Sequence, residues 1–321
     1  MDNSLIELIK DQVSLNMSCL HTAIDSICAK YNILTWYLYS VQWNFEYKEI
    51  EELPIYKKIR VSQSLAINQF LLKYFGMHLD YRKGDLEEAI LILSKIGEQF
   101  SGEIIIGIDS FYCPWHNGYL TSHILHYCIL ESADSDGNFI CLDPFLGNKK
   151  HVFDKNLFYR AYRSLRIINV CKHDLSITPI QIYKELVENY NSKISDMNRV
   201  YNKLISDLQK VTSEEELFEN QSLDLCSILI VIKQISKNRM GLSGMLVLLD
   251  EMYAEKTIKD LYYNFYSVAK DWEKINSLFM KIKISHVLTP KNMDSITIKI
   301  GQVFEKELLI YSRINDFIMT V

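Results

Sequence analysis

The second half of this chain repeats apolar residues at helical spacing almost without interruption, and this periodicity constrains the fold more than any other feature. It runs through segments such as IQIYKELVENYNSKISDMNRVYNKLISDL and IKDLYYNFYSVAKDWEKINSLFMKI. Thr178-Pro179 and Thr289-Pro290 have the cap-plus-proline composition of helix starts. SEEE at 213–216 fits a capping box. The sequence therefore predicts an all-helical domain over residues 176–321.

The first half of the chain mixes helical and strand patterns. Helical spacing occurs at 18–31, 64–76 and 85–100, and EIIIGID at 103–109 reads as a buried strand. HYCILES and NFICLDPF flank ADSDG as the two strands of a hairpin. NLFYRAYRSLRIINV at 156–170 indicates a helix followed by a strand. The prediction is an α+β protein whose N-terminal domain, residues 1–175, contains an antiparallel sheet.

Charge and hydropathy exclude several classes of function. The chain has 321 residues and a net charge of −5, so it lacks the positive field on which most nucleic-acid binders depend. The sequence contains no apolar run long enough to cross a membrane. The N-terminal segment MDNSLIELIKDQVSLN has neither the basic nor the apolar region of a signal peptide. We therefore expect a cytoplasmic protein with no nucleic-acid or membrane partner.

The seven cysteines show neither a CxxC pair nor a zinc-like spacing. Their number is odd and the expected compartment is reducing, which argues against a disulfide framework. Most of them are expected to be small buried apolar residues, and at most one needs a chemical role. No metal site is predicted.

The hairpin brings a histidine and a carboxylate onto one face of the predicted sheet. If Ser135-Asp136 is a two-residue turn, Cys128 faces Asp143, and His126 lies two residues from Cys128 on the same face. His126 and Asp143 are then diagonal neighbours within reach of a hydrogen bond. A register change of one residue would put them on opposite faces.

Cys19 is the nucleophile that such a histidine could activate. Ser18 is a plausible N-cap, which places Cys19 in the first turn of a helix, at the positive end of the helix dipole. A thiol there, beside a protonated histidine, is activated as a nucleophile. The simpler alternatives are a buried structural cysteine and a His–Asp pair that only stabilises the sheet. His123 is a rival to His126, but it precedes the strand.

Two segments resemble the butirosin-type acyltransferase family, which has a papain-like fold. They are EIIIGIDSFYCPWHNGYLTSHILHYCILESADSDGNFICLDPF and SCLHTAIDSICAKYNILTWYLYSVQWNFEY, and the similarity spans residues 17–147. The resemblance implies an amide synthase that takes an acyl group from a phosphopantetheine thioester on a carrier protein and passes it to an amine or diamine. It implies Cys19 as nucleophile, His126 as acid and base, and Asp143 as the orienting carboxylate. No bound cofactor is implied.

The resemblance leaves the oxyanion hole open. Papain-like peptidases have a glutamine six residues before the cysteine, where this chain has Val13. Gln12 and Asn16 are nearby substitutes, and without them only backbone N–H groups remain to bind the oxyanion.

A substrate pocket is expected from the segment that follows the strand at 103–109. Asp109 could hold an ammonium group, and the aromatic residues Phe111, Tyr112 and Trp115, with His116, could pack an acyl chain. The alternative is that Asp109 caps a turn and the aromatic side chains belong to the core.

Carrier docking and two competing functions complete the expectations. Carrier proteins are usually acidic, so RAYRSLR at 160–166 and YKKIR at 56–60 are candidate basic docking patches, or simply solvated faces. A cysteine peptidase or thioesterase could use the same three residues, and a papain-like binding module would use none of them. For the helical half, a substrate lid, a carrier dock and a homodimer interface stay open.

Overall fold

The first half of the computed structural model contains both helices and strands, and the second half is helical. The strands are β1 (Phe45–Tyr47), β2 (Ile59–Val61), β3 (Met77–Lys83), β4 (Glu103–Asp109), β5 (Leu125–Ala133), β6 (Phe139–Asp143), β7 (Lys149–Phe153) and β8 (Tyr162–Val170). The α-helices are α1 (Cys19–Ala29), α2 (Ile55–Lys58), α3 (Ser64–Phe75), α4 (Lys155–Ala161), α5 (Pro179–Asn191), α6 (Ile194–Gln209), α7 (Ser227–Tyr253), α8 (Lys259–Ser285) and α9 (Pro290–Thr320). Short 3-10 helices cover Thr35–Val41, Ser110–Tyr112 and Glu214–Glu216. The structure describes Ile6, Ile9 and residues 18–33, 35–41, 45–61, 64–83, 87, 90–91, 102–170, 178–191, 194–219, 223, 226–253 and 259–320.

An antiparallel sheet of order β3-β8-β4-β5-β6-β7 organises one of two units, which comprises residues 17–35 and 68–176. Alternate residues of β4, among them Ile106 and Ile108, point to a core that also contains Cys128 and Phe158. Helix α1 packs against β4 and β5 through a buried stripe that includes Ile24. The predicted α+β class and antiparallel sheet are confirmed.

The hairpin between β5 and β6 differs from the predicted two-residue turn. Gly137, at φ +81°, ends a longer loop in which the Asp134 N–H donates to the carbonyl of Asn138 at 2.9 Å. A β-bulge at Glu131 takes up the extra residue, so that Ile129 pairs with Leu142. The prediction of a two-residue turn at Ser135-Asp136 is therefore wrong. The longer loop and the bulge each shift the strand pairing by one residue, and the two shifts cancel. The register that reaches Asp143 is the expected one.

The second unit comprises residues 1–16, 36–67 and 177–321 and contains helices α5 to α9. Helices α5 and α9 begin at Pro179 and Pro290, as predicted. The predicted division placed residues 36–67 in the N-terminal domain, whereas here they belong to the helical unit. One cause is Asp207 on α6, which accepts hydrogen bonds from Tyr47 and Lys58. Among the described residues, no helix is long and apolar enough to cross a membrane.

Candidate active site

Cys19 is the first residue of α1, as the Ser18 cap predicts. The His21 N–H donates to Ser18 Oγ at 3.3 Å, and the extended backbone of Ser18 turns the chain into the helix. Among the cysteines that the structure describes, Cys19 is the one whose side chain is only partly buried. Cys19 therefore lies at a helix N-terminus and is not fully enclosed in the core.

His126 and Asp143 form the hydrogen bond that the hairpin register predicts. His126 is the second residue of β5 and Asp143 the last residue of β6. His126 Nε2 lies 2.7 Å from Asp143 Oδ2, and both side chains are almost fully buried. Because Nε2 faces the carboxylate, the other ring nitrogen, Nδ1, is left for a further partner. Cys19 is near enough to the ring to raise the pKa of His126.

Both carboxylate oxygens of Asp143 accept hydrogen bonds. Trp115 Nε1–H donates to Oδ2 at 2.9 Å, and the backbone N–H of Leu146 donates to Oδ1 at 3.1 Å. Burial favours the neutral acid, but the hydrogen bond and charge of His126, together with these two donors, outweigh it and lower the pKa of Asp143. Asp143 is therefore a carboxylate at neutral pH.

The same pair raises the pKa of His126. Burial of the ring opposes protonation, whereas the hydrogen bond to Asp143, the charge of Asp143 and the neighbouring Cys19 favour it, so that the pKa is raised from 6.5 to about 9. The imidazolium is then the main form at neutral pH. An imidazolium fixed between a carboxylate and a sulfur can donate a proton to a leaving group, and its conjugate base can take one from a nucleophile.

Trp115 holds the carboxylate from the loop after β4. Its indole stacks on His151 with ring centroids 4.5 Å apart and meets Phe153 edge-on at 5.0 Å. These contacts fix the orientation of Nε1. The sequence predicts Trp115 as a substrate-binding residue, and the structure places its polar atom on Asp143 instead.

Asp109 caps the turn after β4. Its Oδ1 accepts from the Phe111 N–H at 3.0 Å, and its Oδ2 lies 2.8 Å from His123 Nδ1 and 2.6 Å from Arg163 Nη2. These partners outweigh burial and lower the pKa of Asp109. The carboxylate that was expected to hold a substrate ammonium is thus occupied by a protein cation. His123, the rival base, belongs to this cluster and not to the one around Cys19.

Tyr112 lies partly buried against the sheet core, and the guanidinium of Arg160 covers its ring at 4.7 Å. Gln12 and Asn16, the expected oxyanion donors, fall outside the described residues, as does Val13.

Neither expected basic patch is a continuous exposed surface. Arg166 is 8% exposed and lies over the rings of Tyr81 and Tyr127 at 4.4 and 5.0 Å. Lys58 is 5% exposed and pairs with Asp207. Arg166 is buried because β8 lies inside the sheet and is covered on both faces around this residue. Lys58 is buried with its partner, the carboxylate of Asp207 on α6.

His116 lies next to the candidate site, whereas the sequence assigned it only to a pocket of aromatic residues. Its ring lies 4.6 Å from that of His126, and its Nδ1 accepts the Gly118 N–H at 2.9 Å. Burial and the charge of His126 lower the pKa of His116. The Trp115-His116 dipeptide was the only indication in the sequence that His116 could be near the site. The direction in which its side chain points depends on how the loop folds.

No group of three or more His, Cys, Asp or Glu side chains is arranged to hold a metal ion within the part of the chain that the structure describes. The chain matches no protein-family model and no curated protein.

Proposed function

We propose that this protein is an amide-forming acyltransferase with a papain-like catalytic unit and a cytoplasmic location. It takes an acyl group from the phosphopantetheine thioester of a carrier protein and transfers it to an amine or diamine in thiotemplated natural-product biosynthesis. The observation that carries the proposal is the imidazole of His126, which is hydrogen-bonded to the buried Asp143 and close enough to Cys19, at a helix N-terminus, for Cys19 to raise its pKa. That arrangement fits a covalent acyl transfer.

In the first half-reaction, Cys19 attacks the thioester carbonyl as a thiolate, its proton being held by His126. The bond between the acyl carbon and the pantetheine sulfur breaks, and the imidazolium of His126 gives its proton to that leaving sulfur. One thioester replaces another, so this step is close to thermoneutral. The N–H groups of Cys19 and Leu20 have no acceptor inside the helix, as in the first turn of any helix, and we assign to them the binding of the oxyanion.

In the second half-reaction, an amine attacks the acyl group on Cys19. His126, now neutral, takes the amine proton as the C–N bond forms, and the bond from carbon to the Cys19 sulfur breaks. Asp143 keeps the ring oriented and stabilises the imidazolium that forms. An amide is more stable than a thioester, so the reaction runs towards synthesis without ATP. The amine is favoured over water if it is held at attack distance.

Intact-mass measurements with two probes test this proposal. The full-length protein is incubated with butyryl-pantetheine, with and without 1,3-diaminopropane. We expect a butyryl adduct that is absent in Cys19→Ala, and formation of N-(3-aminopropyl)butyramide only when the diamine is present. His126→Ala should slow adduct formation by about 10²- to 10⁴-fold.

His123→Ala is the matched control, because His123 pairs with Asp109 through a similar hydrogen bond away from Cys19. It should leave the adduct rate within a few fold of the parent. Release of butyric acid at a rate independent of the amine would contradict the amide synthase and favour a thioesterase or peptidase. A folded protein that forms no adduct with butyryl-pantetheine or with a butyryl carrier protein would exclude covalent catalysis.

A further inference from the structure

Arg166 of β8 is a buried arginine whose charge is not balanced by a carboxylate. Its side chain is 8% exposed, and one guanidinium nitrogen, Nη2, donates to the Tyr127 hydroxyl at 3.2 Å. Among the described residues, no acid forms an ion pair with Arg166, and its buried Nε–H has no hydrogen-bond acceptor. Because burial of an unpaired charge is costly, we expect this guanidinium to bind an anion.

Two tyrosine rings hold the guanidinium in place. The guanidinium carbon of Arg166 lies 4.4 Å from the ring centre of Tyr81 and 5.0 Å from that of Tyr127. Tyr81 pairs directly with Arg166 across β3 and β8. The ring faces stabilise the positive charge, but the five N–H groups point outward in the guanidinium plane and need acceptors there. The tyrosines therefore leave donors for a planar anion.

A glycine gives the ring of Tyr127 its place on the sheet. Gly107 pairs with Tyr127 on one side and with Ser164 on the other. A Cβ at Gly107 would lie 3.0 Å from Tyr127 Cε1, so the ring extends over the glycine towards β8, where its hydroxyl meets Arg166. Tyr81, on the edge strand β3, is 52% exposed. The cluster is thus reached from solvent at the edge of the sheet.

The cluster lies on the face of the sheet that carries α1. Near the C-terminal end of this helix, Cys28 Sγ lies 3.9 Å from Met77 Sδ on β3. Met77 and Tyr81 are four residues apart on one strand and therefore point to the same face. Helix α1, with Cys19 at its other end, thus shares a face with the tyrosines and Arg166.

Tyr127 neighbours both the guanidinium and the candidate nucleophile. Burial raises the pKa of the Tyr127 hydroxyl, the charge of Arg166 opposes this, and Tyr81 and Cys19 raise the pKa further. Cys19 is therefore close enough to Tyr127 to act on its hydroxyl. A chain that is attached to the Cys19 sulfur and follows the ring of Tyr127 reaches Arg166.

We propose that Arg166 is the centre of a binding site for a carboxylate, and that this carboxylate ends the acyl group that Cys19 accepts. A carboxylate takes two parallel N–H bonds from a guanidinium, and its single charge balances that of Arg166. The site would thus select acyl groups with an acidic end. The second part rests on the acyl transfer proposed above, whereas the binding of a carboxylate does not.

A nuclear magnetic resonance titration of the full-length protein, labelled with ¹⁵N-arginine, tests carboxylate binding without any acyl transfer. The probes are succinate, adipate and suberate, with hexane-1,6-diol as the uncharged counterpart of adipate. Tyr127→Phe removes the hydroxyl that accepts from Arg166 and thereby identifies the Nε–H resonance of Arg166. We expect at least one dicarboxylate to shift this resonance saturably and the diol to leave it in place.

The absence of a saturable shift with all three dicarboxylates would overturn the site. Tighter binding of inorganic phosphate than of every dicarboxylate would overturn the carboxylate class.

Acylation rates of Cys19 test the second part of the proposal. Three pairs of pantetheine thioesters differ only at the end of the acyl chain, which is a carboxylate in one member and a methyl group in the other: succinyl and butyryl, adipoyl and hexanoyl, suberoyl and octanoyl. In at least one pair, the acidic member should acylate Cys19 about tenfold faster at low donor concentration, the gain of one charge-assisted interaction. Arg166→Met should bring the two rates together.

Arg163→Met is the matched control, because Arg163 belongs to the same strand and pairs with Asp109. It should keep the rate ratio of the parent. Carboxylate binding without any rate preference, or a preference that survives in folded Arg166→Met, would overturn the assignment to the acyl group. Carboxylate binding without an adduct from any thioester would contradict the acyl transfer and with it the second part. The titration and the parent rates do not depend on whether Arg166→Met folds.

Discussion

Replacement of Asp143 by asparagine should remove most of the charge that keeps His126 protonated. In the parent, the pKa of His126 is raised from 6.5 to about 9, which corresponds to roughly 3 kcal/mol in favour of the imidazolium. Burial of the ring acts in the opposite direction and is unchanged by the substitution. We therefore expect the pKa of His126 to fall to near or below 6.5 in Asp143→Asn. Cys19→Ala should lower it less, because Cys19 raises this pKa less than Asp143 does.

The substitution should also change how stability depends on pH. A histidine whose pKa is raised in the folded state contributes stability that is fully present below pH 6.5 and is lost as the pH rises through about 9. Asp143 has a lowered pKa, so its contribution is present above pH 3.8 and is lost as the pH falls through the folded value. The cost of Asp143→Asn should therefore be greatest near pH 6, and at pH 10 it should be smaller by up to roughly 3 kcal/mol.

Nuclear magnetic resonance of protein labelled with ¹³C-histidine measures the titration directly. The chain has eight histidines, and His126→Gln identifies the resonance of interest. Asp109→Asn is the matched control, because Asp109 is a carboxylate of the same sheet that binds His123 instead of His126. Its replacement should leave the pKa of His126 unchanged. A parent His126 that titrates near 6.5, or one that titrates alike in the parent and in Asp143→Asn, would refute the reasoning.

Three further predictions concern stability, measured by chemical denaturation. Trp115→Phe keeps the stacking but removes a hydrogen-bond donor from the buried carboxylate of Asp143. It should lower the free energy of unfolding by about 1.5–3 kcal/mol, and no loss would mean that water replaces the indole. Gly107→Ala would place a methyl group 2.3 Å from Ser164 Oγ and should lower the free energy of unfolding by about 1–3 kcal/mol. Adding Ser164→Ala should recover part of this loss. Full stability of the single variant would contradict the close packing. Arg239→Met leaves Glu307 buried without its cation and should cost about 3–5 kcal/mol, whereas Arg239→Met with Glu307→Leu should cost less; an equal or greater loss in the double variant would refute this.

The local signals of the sequence were sufficient for much of the secondary structure. A serine cap and helical spacing predicted α1, prolines predicted the starts of α5 and α9, and a continuous apolar run predicted β4. The edge strands β3 and β7 escaped prediction because their sequences, MHLDYRK and KKHVF, are rich in charge. Strands at the margins of a sheet carry such residues to discourage further pairing, which hides the apolar alternation on which sequence prediction depends.

The candidate site likewise has features that local sequence determines and features that depend on tertiary structure. The sequence by itself determined that Cys19 begins a helix, because capping is a local property. It also placed His126 and Asp143 on one face of a hairpin, but through a two-residue turn that the structure replaces with a longer loop and a bulge. Only the tertiary structure decided that an indole from a distant loop reaches Asp143, that a bulge offsets a longer turn, and that Asp109 is taken by Arg163. Such contacts depend on the packing of segments far apart in the chain, and no short stretch of sequence encodes that packing.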